Sequence, residues 1–303
     1  MITLPRLQYK TACSTLQPKL WTMQNDWWTG LDQKSQRNAD TGDMSAFYEA
    51  RKAVYGSSHP IQALRLSSDG NALLTDKKAI HLRWPEHFEG LFTDQHFMQE
   101  SLLAKIIRVD VKLELDDSST REEIKKATMQ LKVGKSPGID GILAEVYQHC
   151  AEAMLNKLQD LFTNRWQKGT LPQDLRDAVI VSLYKNKGEK SDCSNYRGIT
   201  LLSIACKILA RVLLNRLIPT TAQENTPESQ CGFRSNRGTV DMIFMLRQIF
   251  EKCREQNMGL YAAFVDLTKD FDTVSRDGLR KILARLGCTP KFLTILRQLH
   301  EGQ

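Results

Sequence analysis

Apolar and polar positions follow two rhythms along this chain, and the change of rhythm marks its organisation. Leu143, Val146, Tyr147, Cys150, Leu155, Leu158, Leu161, Phe162 and Trp166 recur every three or four positions up to Gly169, which predicts helix with one buried face. The same spacing predicts helices over 204–218, where Pro219 ends the pattern, around Met242, Phe244, Leu246, Ile249 and Phe250, and in two closing pieces carrying Leu279 to Leu286 and Phe292 to Leu299. Residues 178–184 and 197–203 lack that period and read as strands joined by a loop of about a dozen polar residues. Residues 260–265, Leu-Tyr-Ala-Ala-Phe-Val, have the length and apolarity of a core strand and deliver Asp266 at its end. A core strand tolerates a carboxylate there only where the charge meets solvent, a cation or hydrogen-bond donors, so both a helix cap and a metal ligand remain open for Asp266.

The N-terminal third is patterned more sparsely. Asp43 is placed to cap a helix carrying Phe47, Ala50, Val54 and Tyr55, with Gly56 at its end. Residues 61–66 and 72–75 flank a Ser-Ser-Asp-Gly turn as a hairpin. Ile80, Trp84 and Phe88 share a helical face, and Pro85 within it predicts a kink or a second helix starting there. Thr120-Arg-Glu-Glu123 is a capping box for a helix running to Leu131. These signals predict a boundary near residue 118, with 1–118 a linker-like region of helices and a short hairpin and 119–303 a second domain.

Composition narrows the class. Of 303 residues, 41% are hydrophobic and 25% charged, which is ordinary globular usage. The net charge of +7 is unevenly spread: residues 121–303 hold 28 Lys and Arg against 20 Asp and Glu, whereas 1–120 hold 14 against 15. A basic surplus of that kind suits a phosphate backbone, and equally a solvated face. Seven cysteines without a C-x-x-C pair and histidines without a ligand spacing argue against a zinc site and for a reducing compartment, cytoplasm or nucleus. No apolar run approaches 18 residues, so no membrane partner is expected.

Four blocks stand in fixed order: Val179 to Gly188 with Lys185 and Lys187; Asn195-Tyr-Arg197-Gly198 to Ser203; Gln230-Cys-Gly232-Phe-Arg234-Ser-Asn-Arg237-Gly238; and Phe264-Val-Asp266-Leu-Thr-Lys-Asp-Phe271-Asp272. With Lys135-Ser-Pro-Gly138-Ile-Asp140-Gly141 and Leu171-Pro172 upstream, they resemble the reverse transcriptase domain of non-LTR (LINE-type) retrotransposons. Residues 40–110 look, less specifically, like the segment joining endonuclease to polymerase in such elements. The resemblance implies an α+β fold, a mostly helical fragment with the fingers hairpin and first palm strand of a right-hand polymerase. It implies Asp266 as the first catalytic carboxylate of a site for two Mg²⁺ ions, because nucleotidyl transfer needs hard cations at the attacking and leaving oxygens. It further implies Arg197, Lys185 and Lys187 against the incoming dNTP, Phe271 as the gate against a ribose 2′-hydroxyl, and Gly232, Arg234, Arg237 and Gly238 against an RNA template or DNA primer.

Two departures temper that reading. The family's aromatic-x-Asp-Asp block is not reached, and Asp270 stands where a small residue normally packs on nucleotide; a carboxylate there opposes the triphosphate by about 1 kcal/mol or more. Asp116-Asp117, the one Asp-Asp pair, lies upstream of the fingers without the aromatic and reads as a solvated acidic turn. Gly134-Lys135-Ser136 lacks the glycine a phosphate loop requires at position 129, which is Met. The chain is therefore expected to be a polymerase fragment inactive alone, with a non-catalytic RNA- or DNA-binding remnant, or a piece completed by another chain, as alternatives. An unpaired edge of strand 260–265 is expected to promote self-association.

Overall fold

The computed structural model describes residues 3–56, 64–93, 98–222 and 225–301. The chain divides into two compact units, residues 1–63 and 64–303. In the first, α1 (Thr3–Asp40) and α2 (Met44–Tyr55) lie against each other around a turn at Thr41 and Gly42. Asp43 caps α2 by accepting the Ala46 N–H at 3.0 Å, as its position predicts. Ala50 of α2 is buried, and Leu31, Ser35 and Asn38, one face of α1, are half-buried. No element was expected over residues 1–40, where the structure forms this long helix.

The second unit opens with a two-residue hairpin, β1 (Arg65–Leu66) and β2 (Leu73–Leu74), paired antiparallel about the expected turn, where Gly70 takes φ +74°. Residues 61–63 of the expected first strand lie outside the described residues. Next, α3 (Lys77–Thr93) runs through Pro85 as one helix rather than restarting there. After α4 (Glu100–Ala104), a single 3₁₀ turn (Leu113–Asp116) leads to α5 (Arg121–Met129), whose capping box is formed in both directions between Thr120 and Glu123. Then come α6 (Ala144–Gln148), α7 (Glu152–Lys168), ended by Gly169 in the left-handed region, and α8 (Gln173–Arg176).

The strands β3 (Ala178–Tyr184) and β4 (Tyr196–Leu202) pair antiparallel with Leu183 opposite Arg197. Ser203 then caps α9 (Ile204–Leu217), and α10 (Thr239–Glu255), α11 (Arg276–Arg285) and α12 (Pro290–Gln298) complete the order. The core is helical: Ile124 of α5, Leu155, Leu158, Phe162 and Trp166 of α7, Ile208, Leu209 and Val212 of α9, and Phe292 and Ile295 of α12 form one buried cluster. Gly138 lets the 135–141 loop lie on the β4–α9 junction, since a Cβ there would sit 2.6 Å from the Ser203 nitrogen.

The compact units divide at 63/64, while the sequence signals point to 118, and hydrogen bonds from 109–116 explain the difference. The N–H groups of Val109 and Lys112 donate to the carbonyls of Arg285 and Gly287 at 2.8 and 2.9 Å, and the Trp166 indole N–H donates to the Asp116 carbonyl at 2.7 Å. Asp116 is accordingly no solvated acidic turn: its carboxylate also accepts from the Thr289 hydroxyl, and Leu115 beside it is buried.

The strand expected over residues 260–265 does not form. The segment has no regular structure, Tyr261 is fully exposed, and Phe264 and Val265 are 83% exposed. A strand is stable only when its N–H and C=O groups enter a ladder, and β3 and β4, the extended segments of comparable size, pair only with each other. The open strand edge expected to drive self-association is therefore absent too.

Candidate nucleic-acid interface

The hairpin β3–β4 presents two unlike faces. On one, Val179, Val181, Leu183, Arg197 and Ile199 are exposed. The other rests on α3, where Gly198 is required because a Cβ would come within 2.7 Å of the Phe88 ring. Beside it the Arg65 guanidinium lies 4.7 Å from the ring centroids of both Trp84 and Tyr196, which themselves meet edge to face. The buried guanidinium is thus held against both aromatic rings of this edge-to-face pair. Arg65 also donates to the Lys190 carbonyl, and the Leu66 N–H donates to the Ser191 carbonyl, so the first hairpin of the unit grips the loop of the second.

That loop, 185–195, is closely tied. The Lys185 N–H donates to the Asn195 carbonyl at 2.9 Å, its ammonium donates to the Ser194 carbonyl at 2.9 Å, and the Tyr196 hydroxyl donates to the Lys190 carbonyl at 2.9 Å. Asp192 caps the turn 193–195. Lys185 is half-buried where Lys187 and Arg197 are exposed. Burial, then the nearby charges of Lys269, Lys187 and Arg197, pull the Lys185 ammonium below its ordinary pKa, and Asp272 opposes them. Burial first, and next Lys269, Arg83 and Lys185, likewise lower the pKa of His87, whose Nε2 is buried without a hydrogen-bond partner. The charge of Lys269, from the 264–272 block in which the sequence singled out Asp266, Phe271 and the anomalous Asp270, thus acts on the hairpin's Lys185.

The remaining expected residues are placed less favourably. Arg234 and Arg237 both pair with Glu228, at 3.3 and 2.7 Å, and Arg234 also donates to the Pro227 carbonyl at 3.0 Å. The Gly238 N–H, expected to approach a phosphate, donates instead to the Asp241 carboxylate at 2.7 Å at the start of α10. Gly232 needs no unusual backbone, while Phe233 beside it takes φ +60° and meets the Phe271 ring edge-on at 5.8 Å. This contact joins the Gly/Arg loop to the aspartate segment. Sequence reasoning missed Arg65, His87, Lys269 and Phe233; of these, Lys269 and Phe233 lay inside blocks already singled out.

Asp266 lies exposed on the irregular segment 260–267. Among the described residues no three His, Cys, Asp or Glu side chains gather as metal ligands. A pair of hard cations needs several converging carboxylate oxygens, and the donor set here does not fit two Mg²⁺ ions. Among the described residues no helix is long and apolar enough to cross a membrane.

Residues 185–302 match the family model described as reverse transcriptase (RNA-dependent DNA polymerase). The chain is similar to the transposon TX1 149 kDa protein of Xenopus laevis, 26% identical over 85% of this chain and 20% of that protein. It is 27% identical to the RNA-directed DNA polymerase from mobile element jockey of Drosophila melanogaster over 71% of this chain and 24% of the polymerase. It is 31% identical to a 115 kDa protein of the R1DM retrotransposable element of the same fly, over 55% of this chain and 16% of that protein. The chain therefore spans about a fifth of the length of these curated relatives.

Proposed function

From the premise that residues 185–302 belong to the reverse transcriptase family, in the company of non-LTR element polymerases, we propose that this chain is the fingers-side portion of an RNA-directed DNA polymerase. In this reading Lys185, Lys187, Arg197 and Lys269 hold phosphates of an incoming dNTP or of template RNA. The observation that carries it is the placement of Lys185, Lys187 and Arg197 at the loop end of the β3–β4 hairpin, inside the matched segment and within electrostatic reach of Lys269. Arg197 is the strongest of them: it is exposed opposite Leu183, and its planar fork suits two charge-assisted bonds to phosphate oxygens. By family resemblance Phe271 would act as the gate against a ribose 2′-hydroxyl, and Asp266 would supply one metal ligand of a set drawn from elsewhere.

Binding of a hairpin RNA, followed by fluorescence polarisation across a salt series, tests the cation cluster. Affinity is expected to fall steeply with salt, and Arg197→Ala to weaken binding about three- to tenfold while reducing the log–log salt slope by roughly one. Affinity indifferent to salt, or an Arg197→Ala chain that binds like wild type, refutes the assignment.

The isolation of Asp266 favours a second reading, a binding piece that is not catalytic alone. The purified chain is expected to give no primer extension on an RNA template with Mg²⁺ or Mn²⁺ and all four dNTPs. Template-dependent extension that Asp266→Asn abolishes would show a complete catalytic site. Extension that appears only when a second polypeptide bearing an aromatic-x-Asp-Asp block is added would identify a piece completed by another chain.

A further inference from the structure

Within α1, Tyr9, Cys13, Leu16, Leu20, Met23 and Trp27 follow one another at intervals of four, three, four, three and four residues. That spacing is a heptad seam, with apolar residues at both seam positions over roughly three heptads, about 30 Å of helix. In a folded chain such a seam is normally covered. Here each of the five large side chains is at least half exposed and Cys13 is exposed, while α2 covers only the later face at Leu31, Ser35 and Asn38. Pro18, the residue least suited to a helix interior, falls opposite the seam, on the face that would stay in solvent.

We propose that this seam pairs with α1 of a second copy of the chain in antiparallel orientation. Charge and size select this occupant and this direction. In an antiparallel pair centred between Leu20 and Met23, Leu20 meets the partner's Met23, Leu16 meets the partner's Trp27, and Cys13 meets the partner's Gly30, so small faces small and the Trp27 ring faces an aliphatic chain. On the flank, Lys19 meets the partner's Asp26, and two-fold symmetry makes the pair twice. A parallel pair in register would set Trp27 against Trp27 in one layer and leave Lys19 facing the neutral Gln24. The oppositely charged flanking residues Lys19 and Asp26 thus complement each other only in the antiparallel arrangement.

The test uses the full chain in sedimentation velocity, with a small set of variants. Wild type is expected to dimerise; Lys19→Asp should weaken the dimer about tenfold by turning two attractions into repulsions, and the double swap Lys19→Asp with Asp26→Lys should restore it. Gly30→Cys should give a disulfide-linked dimer on mild oxidation that Cys13→Ser prevents. A monomer at all concentrations overturns the proposal, as does a dimer indifferent to Lys19→Asp or one not rescued by the swap. Cross-linking of wild type through Cys13 to Cys13 would overturn the antiparallel direction in favour of a parallel pair. A monomer whose α1 tryptophans are protected by the rest of its own chain, or that partitions onto anionic vesicles, would overturn it by assigning the seam to another occupant.

Discussion

Trp166→Ala is expected to destabilise the 64–303 unit by about 3–5 kcal/mol, the range for emptying a large buried aromatic site. The indole is 2% exposed on α7, its ring meets Phe292 of α12 edge-on at 6.1 Å, and its N–H is the link to the Asp116 carbonyl at 2.7 Å. The cations of Arg216 and Lys291 lie 5.9 and 5.8 Å from its ring centroid. One side chain therefore ties together α7, α12, α9 and the turn at 113–116. In a unit of this size the loss corresponds to a melting midpoint roughly 6–20 °C lower. Trp166→Phe keeps most of the buried ring but orphans the Asp116 carbonyl, and should cost about 1–2 kcal/mol. Urea unfolding of the three proteins provides the check; an alanine variant that loses less than the phenylalanine variant would show that this packing is not what holds the turn.

The second large effect is expected at Arg216, in the last turn of α9. Its guanidinium donates to both carboxylate oxygens of Glu123 at 2.6 Å and to the carbonyls of Asp117 and Ser118 at 2.5 and 3.1 Å. It fastens the capping box of α5 to α9. Arg216→Ala leaves the half-buried Glu123 and two carbonyls without that donor, at a cost of about 2–4 kcal/mol. Arg216→Lys, lacking the fork, should recover less than half. The pair also has a pH signature. Burial works to raise the pKa of Glu123, but the hydrogen bonds and charge of Arg216 and the Thr120 N–H outweigh it, and the carboxyl lies below its ordinary value of 4.5. A depressed folded-state pKa contributes stability that is fully present above the unfolded value and is lost as pH falls through the folded one. Wild-type stability should therefore be level from neutral pH to about 5 and decline below about 4.5, and the Arg216→Ala chain should show a shallower acid decline. Equal acid slopes in the two proteins would place the pH dependence elsewhere.

What the sequence by itself determined is what neighbouring residues decide among themselves. The Thr120–Glu123 box, the cap at Asp43 and the stop at Gly169 all depend on contacts within three or four positions, and each is formed where its spacing predicts. The buried stripe of α7 and the strands β3 and β4, matched to within a residue, follow from periodicity for the same reason. Tertiary structure alone decided what needed a distant partner. Residues 260–265 have a strand's composition, but a ladder needs a second chain segment, and among the described residues none pairs with them. Arg65 becomes a buried cation only because Trp84 and Tyr196 arrive from 19 and 131 positions away. The resemblance implies Arg234 and Arg237 as template contacts, and in the structure both pair with Glu228. At the loop end of the hairpin the charge of Lys269 acts on Lys185 across more than eighty residues of sequence: charge acts through space, and composition along the chain does not say which cations will share it.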